Sequence, residues 1–221
     1  MFRNWPIPKV EIDQFDARFQ PETQGPSKNT EISFIGGAGS ISDFETWILC
    51  TFAKSSLNVF EFGTFAGKTT YLLAKNAPKK GKIFTLTLAP EGHSAYKASK
   101  SDNAKDTKSA LDESIFNTFY YTNTPVASKI TQLFADSKLF DESPYAGKMD
   151  LIFIDGSHAH SYVESDTQKA LKMLKPGGVI FWHDYRGPNR APGVFETLNK
   201  LQKDLNLVHI AGTNLVAYKK P

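Results

Sequence analysis

Three short segments carry the residue types that chemistry needs. In the first, Val59–Thr70 (VFEFGTFAGKTT), an apolar run of strand length brings Glu61 to the start of a turn bearing Gly63 and Gly67, and a helical pattern follows. Glycines let a backbone approach a ligand closely, and a helix N-terminus offers unpaired N–H groups. A carboxylate at such a strand end suits an ammonium or a sugar hydroxyl better than a phosphate, because two anions repel. The turn therefore points to an adenosyl amino acid. A phosphate-binding P-loop is the competing reading, since Gly67-Lys68-Thr69 matches the end of GxxxxGK[ST], but only three residues separate Gly63 from Gly67 where that motif has four. The G-x-G-x-x-G of a dinucleotide turn is absent.

The second segment, Asp150–His158 (DLIFIDGSH), is a hydrophobic strand that delivers Asp155 and His158 to its C-terminal end. The third, Gly177–Tyr185 (GGVIFWHDY), does the same with His183 and Asp184. Open α/β sheets bind ligands at that edge, so the four side chains could converge. An imidazole titrating near neutrality can take a proton from a hydroxyl, which makes His158 the candidate base beside Asp155. The competing reading has His158 capping a helix that begins near Ser161, with His160 an exposed loop residue. Asp155 and Asp184 together could hold Mg²⁺, whose preference is for oxygen ligands. His183 is a poor match to that ion, and paired carboxylates at strand ends also serve as caps.

These residues need a framework of strands and helices. Ser42-Asp43-Phe44-Glu45 has the spacing of a capping box and predicts a helix over 43–54. Apolar runs of strand length then alternate with helical ones: 57–62, 69–76, 82–88, 129–134 and 150–154. Such alternation implies parallel βαβ units. Ser161-Tyr162-Val163-Glu164 is a second capping-box match, and the helix it opens stops at Lys175-Pro176-Gly177-Gly178. Residues 178–182 form the next buried strand, and a helix follows near 194–204. Two runs, 207–211 and 215–218, flank Gly212-Thr213-Asn214, a connection too short for parallel strands, so they form an antiparallel hairpin.

Residues 1–41 show no clean period and read as an N-terminal arm or lid, whose Gly36–Gly39 run is a linker or a mobile cover. Residues 42–221 read as a single domain, with a polar insertion over 91–114 that is most simply solvated and could also cover a substrate. Trp5, Trp47, Trp182 and Phe119-Tyr120-Tyr121 are either pocket walls or core.

The 221 residues, 40% of them hydrophobic, can bury one sizeable core. A net charge of +3, from 26 basic and 23 acidic residues spread along the chain, gives no reason to expect a nucleic-acid partner. Cys50 is the one cysteine, so no internal disulfide can form and a reducing, cytoplasmic setting is the default. The N-terminus lacks a signal-peptide core, and no run approaches the roughly 20 apolar residues of a membrane span. A homo-oligomer is compatible with all of this.

Taken in order, EFGTFAGKTT, ADSKLFD, IDGSHAHSYVESD and LKPGGVIFWHDY resemble the class I S-adenosylmethionine-dependent methyltransferases, within them the small-molecule O-methyltransferases of the macrocin and cephalosporin type. The resemblance runs from Ser42 to the C-terminus. It implies a Rossmann-like α/β fold: a seven-stranded sheet, mostly parallel with an antiparallel C-terminal hairpin, and helices on both faces. It also implies S-adenosylmethionine as cofactor, with Mg²⁺ in some members, and a hydroxyl on a small-molecule acceptor. By that resemblance Glu61, Gly63, Thr64 and Gly67 line the methionine moiety, and Asp136 with Ser137 sits near the adenine. One departure stands out: the second strand of such enzymes ends in an acidic residue that holds the ribose, and here KIFTLTLAP places Thr87 there. Either Thr87, Glu91 or a water takes over that contact, or the chain is a non-catalytic adenosyl-binding protein.

Overall fold

The computed structural model describes residues 5–19, 31–35 and 41–221. Strand β1 (Lys9–Val10) and helix α1 (Ile12–Phe19) come first, then α2 (Asp43–Ala53), β2 (Asn58–Phe62), α3 (Lys68–Asn76) and β3 (Lys82–Thr87). Helix α4 (Ala104–Glu113), β4 (Ile130–Phe134), β5 (Met149–Ile154), α5 (His160–Met173) and β6 (Leu174–Trp182) follow. Helix α6 (Pro192–Leu201), β7 (Val208–Ile210) and β8 (Val216–Lys219) close the chain.

The strands form one sheet in the order β1-β7-β8-β6-β5-β2-β3-β4. Every pairing is parallel except those of β8, which runs against both β6 and β7. This is a Rossmann-like sheet with the expected antiparallel hairpin, but it has eight strands, not seven. The additional strand is β1, and with α1 it replaces the irregular arm expected over part of 1–41. Its two residues, following Pro6 and Pro8, are too short to show a period. They are held by His209 N–H donating to the Pro8 carbonyl (2.8 Å) and Ala211 N–H to that of Val10 (2.8 Å). Gly36–Gly39 lies outside the described residues.

Strand residues alternate between two buried faces, as strands covered on both sides must. Val59, Leu151, Phe153 and Phe181 pack with Phe15 of α1, Ile48 and Phe52 of α2 and Leu73 of α3. Phe60, Phe62, Ile152, Ile180 and Trp182 pack on the other side with Val163 and Met173 of α5 and Phe195 and Leu198 of α6. Trp182 is core, its indole N–H donating to Thr167 (2.8 Å). Trp5 packs edge-on to Tyr185 and Phe195.

Ser42 and Glu45 form the capping box of α2, with both reciprocal bonds present. The second match does not cap α5, which starts at His160 with Ala159 as its cap residue. Ser161 instead sits in the first turn, where its N–H (2.9 Å) and hydroxyl (2.5 Å) donate to Asp102, from the polar insertion. A partner 59 residues away satisfies the free helix terminus.

Chain order runs outward from β2 through β3 to β4, then returns to β5 on the other flank of β2. The C-terminal ends of β2 and β5 therefore form a switch point, where a crevice opens. Here the Asp155 N–H donates to the Phe62 carbonyl (2.9 Å), and Gly63 turns away with φ +94°. A Cβ at Gly63 would lie 2.1 Å from the Asp155 carbonyl oxygen. Gly63→Ala should therefore lower stability by about 2–4 kcal/mol, read from the urea midpoint; a loss below about 0.5 kcal/mol would mean that the two strand ends part easily.

Candidate active site

A cavity lies over this switch point, where ligands of open α/β sheets bind. Its floor is Phe62, Gly63, Leu86, Thr87, Ala135, Asp136 and Ser137 at the strand ends. Asp155, Gly156 and Ser157 border one side, and Tyr162 and Asp166 of α5 another. The insertion roofs it with Tyr96, Ala110, Glu113 and Ser114. Tyr96 stacks on Tyr162 (4.3 Å between centroids) and shares a hydrogen bond with the Ser157 hydroxyl (2.8 Å), which latches the roof to α5.

Of the residues expected to bind a cofactor, Gly63, Thr87, Asp136, Ser137 and Asp155 line this cavity together. Glu61, Thr64 and Gly67 do not. Glu61 is fully buried beneath the turn, where Thr70 and Thr85 (2.6 Å) donate to one of its oxygens and the other has no partner. Burial, reinforced by the charge of Asp155, outweighs those two hydrogen bonds and pushes the Glu61 carboxyl up to about 8. It is thus largely protonated at neutral pH, not the ammonium-seeking anion that its place at a strand end implies. Thr64 points down into the same network, with Thr85 (2.7 Å) and the Gln132 amide (3.3 Å) as partners. Gly67, at φ +81°, lets Phe119 and Tyr121 close on the turn: a Cβ there would lie 2.8 Å from the Tyr121 ring.

Asp155, His158, His183 and Asp184 meet as expected, around a smaller pocket that shares Asp155, Gly156 and Ser157 with the cavity. His158 Nε2 lies 2.5 Å from Asp184 Oδ2. Burial alone would lower the His158 pKa; the Asp184 hydrogen bond and the charges of Asp184, Asp155 and Glu113 more than offset it and leave the imidazole above its ordinary value. His183 Nδ1 lies 3.0 Å from Asp155 Oδ1 and 3.2 Å from Asp184 Oδ1, and its Nε2 lies 3.5 Å from Glu45. These three carboxylates overcome the burial penalty and hold His183 as an imidazolium, its pKa pushed up to about 12. Glu45 is buried as well, yet His183 and the N–H groups of Asn214 and Ser42 bring it down to about 2. Asp184 is held below the usual carboxylate range because both imidazoles outweigh its burial. Arg186 also pairs with it. Asp184 adopts φ 62°, a conformation that Asp tolerates better than most residues.

Asp155, His183 and Asp184 each offer one possible ligand atom, all within 4.8 Å of one another. The charge of these carboxylates is already met by side chains: His183 and Arg186 pair with them as cations, and His158 Nε2 lies against Asp184. Mg²⁺ bound there would have to displace these partners and accept an imidazole nitrogen in place of the oxygen it prefers. The residues present do not fit Mg²⁺, and the expectation of an Asp155–Asp184 site for it finds no support.

Tyr96, Tyr162, Asp166 and Arg186 were not foreseen from sequence. The first two owe their place to an insertion folding back onto α5, a contact without local signal. Asp166 lies one turn beyond Tyr162 on the face of α5 that meets the sheet, so the helical period held a cue to it.

With this geometry in hand, the likeness to known proteins is specific. Residues 60–185 match the family of proteins described as a methyltransferase domain. The chain belongs to this family. An uncharacterized protein of Acanthamoeba polyphaga mimivirus is 27% identical to this chain over 155 residues, 70% of the chain and 63% of that protein, so the chain covers less than two thirds of that relative. An S-adenosylhomocysteine-bound methyltransferase of Podospora anserina superposes with a TM-score of 0.56 at 15% identity, over 81% of this chain and 78% of that one. An O-methyltransferase of Bacillus cereus in complex with S-adenosylhomocysteine gives 0.54 at 17%, over 83% and 84%. The S-adenosylmethionine-bound O-methyltransferase of Streptomyces achromogenes involved in tomaymycin synthesis gives 0.52 at 16%, over 82% of each. At these identities the likeness is one of fold.

Because Glu61 is neutral when folded and ionised at ordinary pH when unfolded, it favours the folded state less and less as pH rises from the usual carboxylate range through about 8. Glu61→Gln removes that dependence. Urea titrations from pH 5 to pH 9 should show the variant gaining on the parent as pH increases; a constant gap would place the parent's proton elsewhere.

Proposed function

We propose that this methyltransferase uses S-adenosylmethionine to methylate a hydroxyl on a small-molecule acceptor such as a sugar, a phenol or another secondary metabolite. The observation that carries this reading is the His158–Asp184 pair set 2.5 Å apart, in a pocket that shares Asp155, Gly156 and Ser157 with the cavity seated on the glycine turn. The fold's O-methyltransferase neighbours, two of them holding S-adenosylhomocysteine or S-adenosylmethionine, support the same chemistry.

The cofactor fits the lining: Gly63 and Gly156 admit it closely at the strand ends, while Thr87, Asp136 and Ser137 offer polar contacts along the floor. Bound there, S-adenosylmethionine supplies a methyl group made electrophilic by its sulfonium. The protein's work is to hold the acceptor oxygen in line and to remove its proton. His158 donates Nε2–H to Asp184, which fixes the ring and leaves Nδ1 as the basic nitrogen. Asp184 stabilises the imidazolium that forms once the proton arrives. Arg186 and His183 keep Asp184 ionised and in place, so the pair acts as one base. The roof formed by Tyr96, Ala110 and Glu113 limits water at the site. Thr87 takes the ribose contact through its hydroxyl, weaker than a carboxylate accepting two hydroxyls.

Calorimetric titration should show saturable binding of S-adenosylhomocysteine and none of ATP or NAD; preference for ATP would revive the P-loop reading, and binding without turnover of any hydroxyl acceptor would favour a non-catalytic role. Only neutral His158 accepts a proton, so with an acceptor in hand kcat should rise with pH to a plateau, with its inflection above the ordinary imidazole value. His158→Ala should lower kcat by about 10²-fold or more while leaving S-adenosylhomocysteine affinity within a few-fold; an equal loss of both would make His158 structural. Asp184→Asn should move the inflection down as well as lower kcat. Chelation with EDTA should leave turnover unchanged, and restoration by Mg²⁺ of activity lost to EDTA would contradict the charge balance described above.

A further inference from the structure

Two carboxyl groups besides Asp155 border the cavity from the β4 end and from α5, and their situations differ. Asp136 is largely committed: Lys138 N–H donates to its Oδ1 (2.8 Å), and Lys97 N–H (3.2 Å) and the Tyr162 hydroxyl (2.7 Å) donate to its Oδ2. Three of roughly four acceptor positions on a carboxylate are thereby filled. Asp166 is 1% exposed, borders the cavity beside Ser137 and Tyr162, and its Oδ1 has no hydrogen-bond partner. Its other oxygen lies against Gly156, where a Cβ would be 3.7 Å away, so the carboxyl sits directly beneath the cavity floor. Burial, with the charge of Asp136, pushes the carboxyl up to about 7 against the Ser137 hydrogen bond and the charges of Lys169 and Lys138, so it accepts as a carboxylate above that pH. A buried acceptor without a partner is costly unless a ligand or water completes it.

The reading under Proposed function sets the direction of the ligand. The reacting methyl must lie near His158 and Asp155, so the adenosyl end extends away from them, toward Ser137 and Tyr162. An adenine presents one strong donor group there, its exocyclic amine. We propose that Asp166, and not Asp136, accepts a hydrogen bond from that amine, which makes Asp166 the residue that selects an adenine over a 6-oxo purine, while Asp136 is a positioning residue that fixes the roof and the Asp136–Ser137 turn. A site built to receive an N–H discriminates strongly against an analogue that presents an acceptor instead, because the buried carboxyl is left facing another lone pair.

The test compares S-adenosylhomocysteine with S-inosylhomocysteine, which carries a 6-oxo group in place of the amine, by calorimetry on the full chain. The parent should prefer the adenine ligand by about tenfold or more, and a ratio near one overturns the proposal by itself. Asp166→Asn keeps shape and adds a donor, so it should weaken S-adenosylhomocysteine about tenfold and shrink or invert the ratio. Asp166→Ser, which needs less room, should shrink it as well if the amide variant does not fold. Asp136→Asn should weaken both ligands alike and leave the ratio unchanged. A preference that survives in a folded Asp166 variant, or one that disappears in Asp136→Asn, assigns the base contact to Asp136 and sinks the inference. If the parent binds neither ligand, the cofactor reading itself fails, an outcome distinct from either of these.

Discussion

One buried cation organises the end of the sheet where Asp155 and Asp184 meet. His183, on the segment just past β6, is held as an imidazolium among Glu45 of α2, Asp155 at the end of β5 and its own neighbour Asp184. Glu45 also closes the capping box with Ser42 and receives the Asn214 N–H of the hairpin turn (2.6 Å). One charge centre thus ties a helix, two strand ends and the hairpin. Removing either sign from such a cluster would strand the other in a medium of low polarity. The same arrangement fixes Asp184, and through it the ring of His158, so the electrostatics of packing and of the proposed base are one system.

Much of this was legible in the sequence, because the fold rests on local and periodic signals. The alternation of strand-length and helical runs, the capping box at Ser42 and the short connection at Gly212–Asn214 each encode their own geometry within a few residues, and each appears where its pattern placed it. Convergence of Asp155, His158, His183 and Asp184 was also readable, since both pairs follow apolar strands that end on the same edge of a parallel sheet.

What escaped was long-range. Ser161 and Glu164 satisfy the spacing of a capping box, but Asp102 from the insertion reaches Ser161 first, and α5 starts a residue earlier. Glu61 has the position of a ligand contact, yet Thr70 and Thr85 converge on it from α3 and β3, and complete burial changes its protonation. Whether a side chain at a strand end faces the ligand or the layer beneath depends on the sheet's alternation, which turns Glu61 toward α3 and Phe62 toward α5. The insertion is not merely solvated: through Asp102, Tyr96 and α4 it supplies both a helix cap and the cavity's roof.

The two-residue strand β1 has a consequence for the molecule's behaviour in solution. Sheet edges with open backbone donors and acceptors invite another chain to add itself. Lys9–Val10 occupies that position beside β7, with Pro8 immediately before it, and so covers the backbone of Val208–Ile210 at that flank. A chain that lacked these few residues would leave the His209 and Ala211 N–H groups without their present acceptors. Backbone hydrogen bonds thus stitch an early segment of the polypeptide to a late one, across most of its length.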